Sequence, residues 1–214
     1  MRLIALGFIS PVIPLLAADL ETQHAFDFKI PLKQTFELTL HSRIRIQPGG
    51  LGLYQYRVGP ILAWDATRRI TLLGGYYYGE QEHKGDRDFH TGHRLFAGTE
   101  VSILEKRRMS LDQRFLAERI DWESALVYNR YRTRTQLSAK YAVAPFTAHE
   151  FFFDDRGWRG NRHSAGIRWS LRPGFQVELG YLYENRRSNT GPDRQILFTA
   201  FQFKKPSSSA APKR

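Results

Sequence analysis

Arg130, Arg132 and Arg134 occupy alternate positions of one run, Asn129-Arg130-Tyr131-Arg132-Thr133-Arg134. In an extended strand, alternate side chains share a face, so the three guanidiniums form a row. Each presents a rigid fork of N–H donors that matches phosphate or carboxylate oxygens. Rows of Arg or Lys also favour anions in pores. Like charges on one strand face repel unless anions intervene, so the row is a candidate site for small anions. A second set of charges has a plainer reading. Arg94, Arg114, Arg162 and Arg168 fall on the same faces as Glu100, Glu118, Glu150, Glu178 and Glu184. Charges enclosed together must pair or stay hydrated, because an unpaired buried charge is costly.

Other chemistry finds less support. His163-Ser164 and His41-Ser42 are the nearest approach to a histidine-activated nucleophile. Neighbours in a strand point to opposite faces, so neither pair can share a proton. His149 falls on the apolar face. His83, His90 and His93 lie in or beside one polar stretch that also carries Asp86 and Asp88, without a spacing that names a metal site. Gly49-Gly50-Leu51-Gly52 lacks the Lys and Ser/Thr of a phosphate-cradling loop. No cofactor site and no catalytic set is expected.

The elements that position these residues are strands. From Phe175 to Asn185, Phe175, Val177, Leu179, Tyr181 and Tyr183 share one face, and Gln176, Glu178, Gly180, Leu182 and Glu184 share the other. The same alternation predicts strands at 23–31, 34–46, 52–64, 69–81, 92–104, 108–119, 126–140, 145–153, 160–171, 174–186 and 193–204. Many reach the roughly 9–11 residues that a tilted strand needs to cross a bilayer. Short and longer connections alternate, as in outer-membrane barrels. Residues 1–18 read as a cleaved signal: Arg2, an apolar run from Leu3 to Leu16, then Ala17 and Ala18. Residues 19–204 then form the barrel, and 205–214 a low-complexity disordered tail. Tyr54, Tyr56, Trp64, Trp169, Tyr181 and Tyr183 are expected in aromatic girdles. The fold expected is all-β, a single antiparallel transmembrane β-barrel of ten to twelve strands. All-antiparallel closure needs an even number, which favours twelve over the eleven segments read.

Several local patterns carry a family resemblance. They are Pro145-Phe146-Thr147-Ala148-His149-Glu150-Phe151-Phe152, Arg162-His163-Ser164-Ala165-Gly166-Ile167, Gly180-Tyr181-Leu182-Tyr183-Glu184-Asn185 and Ile196-Leu197-Phe198. With the order of short and long connections, they resemble a bacterial family known as domain of unknown function 2490, of predicted outer-membrane barrels. The resemblance covers nearly the whole mature chain. It implies fold and location and no activity. The Lys204–Arg214 tail departs from the usual ending at a terminal aromatic, here Phe203. Assembly machinery of the outer membrane generally reads that aromatic.

Composition agrees with this picture. There is no cysteine, aromatic residues make up 14%, and the net charge is +11. Mean hydropathy is −0.46, too low for a helical membrane protein but expected where only alternate residues face lipid. Basic residues are spread along strands without a nucleic-acid motif, so no nucleic-acid partner is expected. Arg156, Arg159, Arg186, Arg187 and Arg194 lie in or beside longer connections, where they could bridge lipopolysaccharide phosphates or simply be solvated. Three functions follow in order: a narrow channel for small anionic solutes in the outer membrane, a plugged barrel working through its loops, and a lipid-modifying enzyme.

Overall fold

The structure is a computed structural model that describes residues 20–33, 35–48, 52–82, 88–123, 127–187 and 191–206. The expected signal, His83, Asp86, Gly49, Gly50 and most of the C-terminal tail lie outside them. Eleven strands fill nearly all of the described chain. They are β1 (Leu20–Lys33), β2 (Phe36–Ile46), β3 (Leu53–Asp65), β4 (Ile70–Glu82), β5 (Phe89–Lys106), β6 (Met109–Trp122), β7 (Val127–Ala139), β8 (Val143–Asp154), β9 (Gly157–Arg172), β10 (Phe175–Arg186) and β11 (Arg194–Lys204). Each predicted segment corresponds to one strand. The connection between β8 and β9 is only Asp155-Arg156, shorter than the Asp154–Arg159 loop that the sequence suggests.

The sheet closes on itself with eleven strands, not twelve. Every pair is antiparallel except the last, where β1 and β11 run parallel from Leu20↔Gln195 to Lys29↔Lys204. A parallel seam removes the even-number requirement, and odd-stranded barrels with such a seam exist. The seam also separates the ends of the barrel strand path. β1 begins at the end of the barrel that carries the connections β2–β3, β4–β5, β6–β7, β8–β9 and β10–β11. β11 finishes at the other end, among the tight turns.

Period-two alternation divides every strand into an inner and an outer row. The outer row is apolar: Phe26, Phe28, Leu40, Val58, Leu62, Leu95, Ile103, Phe115, Leu179 and Leu197 are all exposed. Outward aromatics gather at both ends of the strands. Tyr56 and Tyr78 lie together near the end with the longer connections. Phe36 stacks on Trp64, and Phe175 on Phe203, near the tight turns. Tyr54 is not among them. It is buried beside a register shift between Arg45 and Ile46, and its hydroxyl donates to Glu21 inside the barrel.

Inner glycines make room for inner aromatics. A Cβ on Gly180 would collide with Cζ of Phe198, and one on Gly75 with Cζ of Phe96. Phe198 packs with Phe146, Leu182 and Ile196 into a small apolar cluster inside the barrel. Gly174, at φ +79°, allows the tight Pro173-Gly174 turn.

Candidate functional site

The barrel encloses a cavity of about 860 Å³ lined by residues from every strand. An eight-stranded barrel is filled by its own side chains, and a sixteen-stranded one leaves a channel. Eleven strands leave an intermediate space. Among the described lining residues, thirteen are Lys or Arg and nine are Asp or Glu. The thirteen cations are not treated alike, and the difference divides the lumen into two walls.

The wall formed by β6 to β10 is carboxylate-rich. Glu118 on β6 accepts from Arg130 at 2.5 Å and from Arg132 at 2.9 Å. Arg132 on β7 also reaches Glu150 on β8 at 2.5 Å. Arg162 on β9 continues the chain, to Glu150 at 3.1 Å and to Glu184 on β10 at 2.6 Å. Five consecutive strands thus contribute one charge each, with alternating sign. Arg130, Arg132 and Arg162 also lie over the ring of Phe152. Pairs at the other end are simpler: Arg168 with Glu178 at 2.8 Å and Arg114 with Glu100 at 3.6 Å.

The row of three arginines therefore lines the lumen on one face, but its members differ. Arg130 and Arg132 are tied to carboxylates. Arg134 donates to Gln136 at 2.7 Å, and Gln136 donates onward to Ser138. Arg94 reaches Glu118 only at 4.0 Å, behind two closer arginines.

The opposite wall, β1 to β3, holds its arginines with neutral partners, while Lys29 lies 4.0 Å from Glu37. Arg43 donates to Oε1 of Gln55 at 2.8 Å, and Gln55 donates to Gln81. Arg45 donates to Oε1 of Gln23 at 2.9 Å. Arg57 donates from Nε to Nε2 of His41 at 3.2 Å and lies 4.5 Å above the Tyr77 ring. His41 Nδ1 is 2.7 Å from Asp27. Because Nε2 accepts from Arg57, Nδ1 must carry the proton and donate to Asp27. An amide or imidazole acceptor fixes a guanidinium in place without cancelling its charge. Arg43 and Arg57 are moreover directly paired across β2 and β3, an arrangement that is destabilising between like charges.

Sequence alternation places Glu37, His41, Arg43 and Arg45 inward, and they line the cavity. Gln136 falls in the inward row with Arg130, Arg132 and Arg134, whereas Asp27, Arg57, Gln23 and Gln55 are not singled out by the sequence. Their signal is the same alternation, in strands that carry fewer charges. Arg186 and Arg194, which the sequence suggests as loop cations, instead line the lumen. They approach Glu184 at 3.6 Å and Glu21 at 3.3 Å. Arg159 is tied to Asp154 at 2.6 Å.

Among the described residues, the histidines and serines do not assemble a nucleophile site. Ser164 lines the lumen, whereas His163 meets His149 on the outer face at 2.9 Å. The Asp27–His41 pair has the form of an oriented base, but Nε2 of His41 is occupied by Arg57. His90 pairs with the lumen-facing Gln81, while His93 meets the Tyr76 hydroxyl on the other side of β5. The two cannot share a metal ion, and no cluster of three metal-binding side chains occurs among the described residues.

The protein family described as "Protein of unknown function (DUF2490)" matches residues 22–195. No curated protein and no solved structure matches the chain.

Proposed function

The chain belongs to the DUF2490 family, whose description assigns no activity, and from the lumen we propose that it is a Gram-negative outer-membrane barrel acting as a narrow conduit for small anionic solutes. Support for the membrane setting is the apolar outer face with aromatics near both strand ends. A soluble monomer rarely exposes so continuous an apolar surface. Strands of 11 to 18 residues are long enough to span. The apolar outer face would contact lipid, and outer-membrane assembly machinery would insert the chain. Lipopolysaccharide would meet the basic residues of the longer connections.

The observation that carries the anion preference is the set of neutral-held arginines, three on the β1–β3 wall and Arg134 on β7. Arg43, Arg45, Arg57 and Arg134 are positioned by Gln55, Gln23, His41 and Gln136. Positive charge that the protein leaves unmatched raises the local concentration of mobile anions. Conductance of refolded protein in a planar bilayer under a salt gradient tests this. Discrete steps with an anion-favouring reversal potential are expected, and Arg43→Gln with Arg57→Gln should reduce that preference. Cation preference, or silence from folded protein, refutes it. Silence would favour the second reading, a plugged barrel acting through its loops, for which the Glu118–Arg132–Glu150–Arg162–Glu184 chain and the Phe146 cluster speak.

A further inference from the structure

Arg43, Arg57 and Arg94 come from β2, β3 and β5 and line the same two spaces, the main cavity and a small niche of about 20 Å³ beside it. Tyr77, Gln55 and Trp122 line both as well. The charged groups that act most strongly on Arg43 are all cations: Arg57, Arg45, Arg162 and Arg94. Arg94 is repelled by Arg130, Arg57 and Arg132 and attracted by Glu118. That carboxylate is already taken by Arg130 and Arg132 at shorter range. Nε of Arg43 and Nε of Arg94 are buried and have no hydrogen-bond partner among the described residues.

Three guanidiniums gathered in this way oppose folding unless something compensates them. Among the described residues, carboxylates pair freely with cations on the facing wall and none pairs with Arg43. The protein also fixes the orientation of two of the three cations. The Asp27–His41–Arg57 chain aims Arg57, and Gln55 aims Arg43. A cluster of three cations whose nearest carboxylate, Glu118, is shared with two closer arginines is the arrangement that an anionic ligand completes.

We infer that Arg43, Arg57 and Arg94 form a binding site for an oxyanion, a phosphate group either free or as the monoester of a small solute. The inference rests on the anion-conduit reading and specifies the site within it. Forked, planar donors discriminate in favour of oxyanions, whose several oxygens accept in parallel, over spherical chloride. Arg57 commits Nε to His41 and Arg43 commits one terminal nitrogen to Gln55, so other N–H groups of each remain for the ligand. The Asp27–His41 pair is a positioning element that touches Arg57.

Titration calorimetry of refolded wild-type protein in detergent micelles tests the site, with inorganic phosphate, glycerol phosphate and chloride as probes at equal ionic strength. Saturable heat with either phosphate and none with chloride is expected. Binding of both phosphates assigns the site to the phosphate group itself. Binding of inorganic phosphate alone restricts it to the free ion, and binding of glycerol phosphate alone to monoesters. Arg43→Gln and Arg57→Gln, each confirmed folded by circular dichroism, should weaken binding at least about tenfold, the loss expected for one charged hydrogen bond. Tryptophan fluorescence, to which Trp122 beside the niche contributes, gives an independent reading on wild-type protein if a variant does not fold. Absence of saturable phosphate binding to folded wild type overturns the inference, as does equal binding of chloride. The bilayer experiment separates the two proposals. Anion-selective steps without phosphate binding leave the conduit and remove the site. Phosphate binding in a silent barrel leaves the site and removes the conduit.

Discussion

Replacing Glu118 by Gln should destabilise the barrel far more than replacing Glu100 by Gln. The Glu118 side chain is 1% exposed and is shared by Arg130, Arg132 and, more distantly, Arg94. Gln keeps the shape and one acceptor oxygen but removes the charge. Arg132 retains Glu150. Arg130 loses its carboxylate, and Arg94 is left facing cations. Removing one partner of a buried pair costs about 3–5 kcal/mol. The Glu100 side chain is 44% exposed and stands 3.6 Å from Arg114, so its loss should cost under about 1 kcal/mol. Urea unfolding in lipid vesicles, followed by tryptophan fluorescence, compares the two with wild type. If both variants lose less than about 1 kcal/mol, the lumen is wet enough to behave as surface, and the distinction between the two walls has no energetic basis.

Gly59→Ala drives a Cβ into the backbone carbonyl oxygen of Tyr76. The strands must shift, so a loss of about 1–3 kcal/mol is expected in the same unfolding assay. A short epitope inserted immediately before Leu20 should be labelled on intact cells, and one immediately after Lys204 only after permeabilisation, because the parallel seam puts the start of β1 and the end of β11 at opposite ends of the barrel. Labelling of both from one side would contradict the eleven-strand closure. Asp193, between β10 and β11, accepts from the Tyr183 hydroxyl at 2.6 Å and from the Arg186 backbone N–H at 2.9 Å. These bonds, the tyrosine's first, hold its carboxyl below the usual range. Stabilisation from a depressed folded-state pKa is complete above the unfolded value and is lost as pH falls below it through the folded one. Asp193→Asn should therefore speed hydrogen exchange in the β10–β11 hairpin at pH 7, and the difference from wild type should fade below about pH 4.

The sequence determined which face each side chain takes. Alternation is enforced by the backbone itself, so Glu118, Arg132, Glu150, Arg162 and Glu184 could be set inward without knowledge of any neighbour. Tyr54 escaped because a register shift beside it breaks that local rule. What alternation cannot specify is who meets whom. Arg132 lies between two glutamates, whereas Arg134, two residues on, meets Gln136. That difference arises from the registers of β6, β7 and β8, and it is invisible along one strand. The unmatched arginines are a closure effect as well. Arg43 and Arg57 sit across the barrel from Glu118, Glu150 and Glu184 because β1 closes on β11 and the eleven-strand order fixes which strands face each other. Side-chain direction is a property of two adjacent peptide units. Partnership, and with it the balance of charge in the lumen, is a property of the closed sheet.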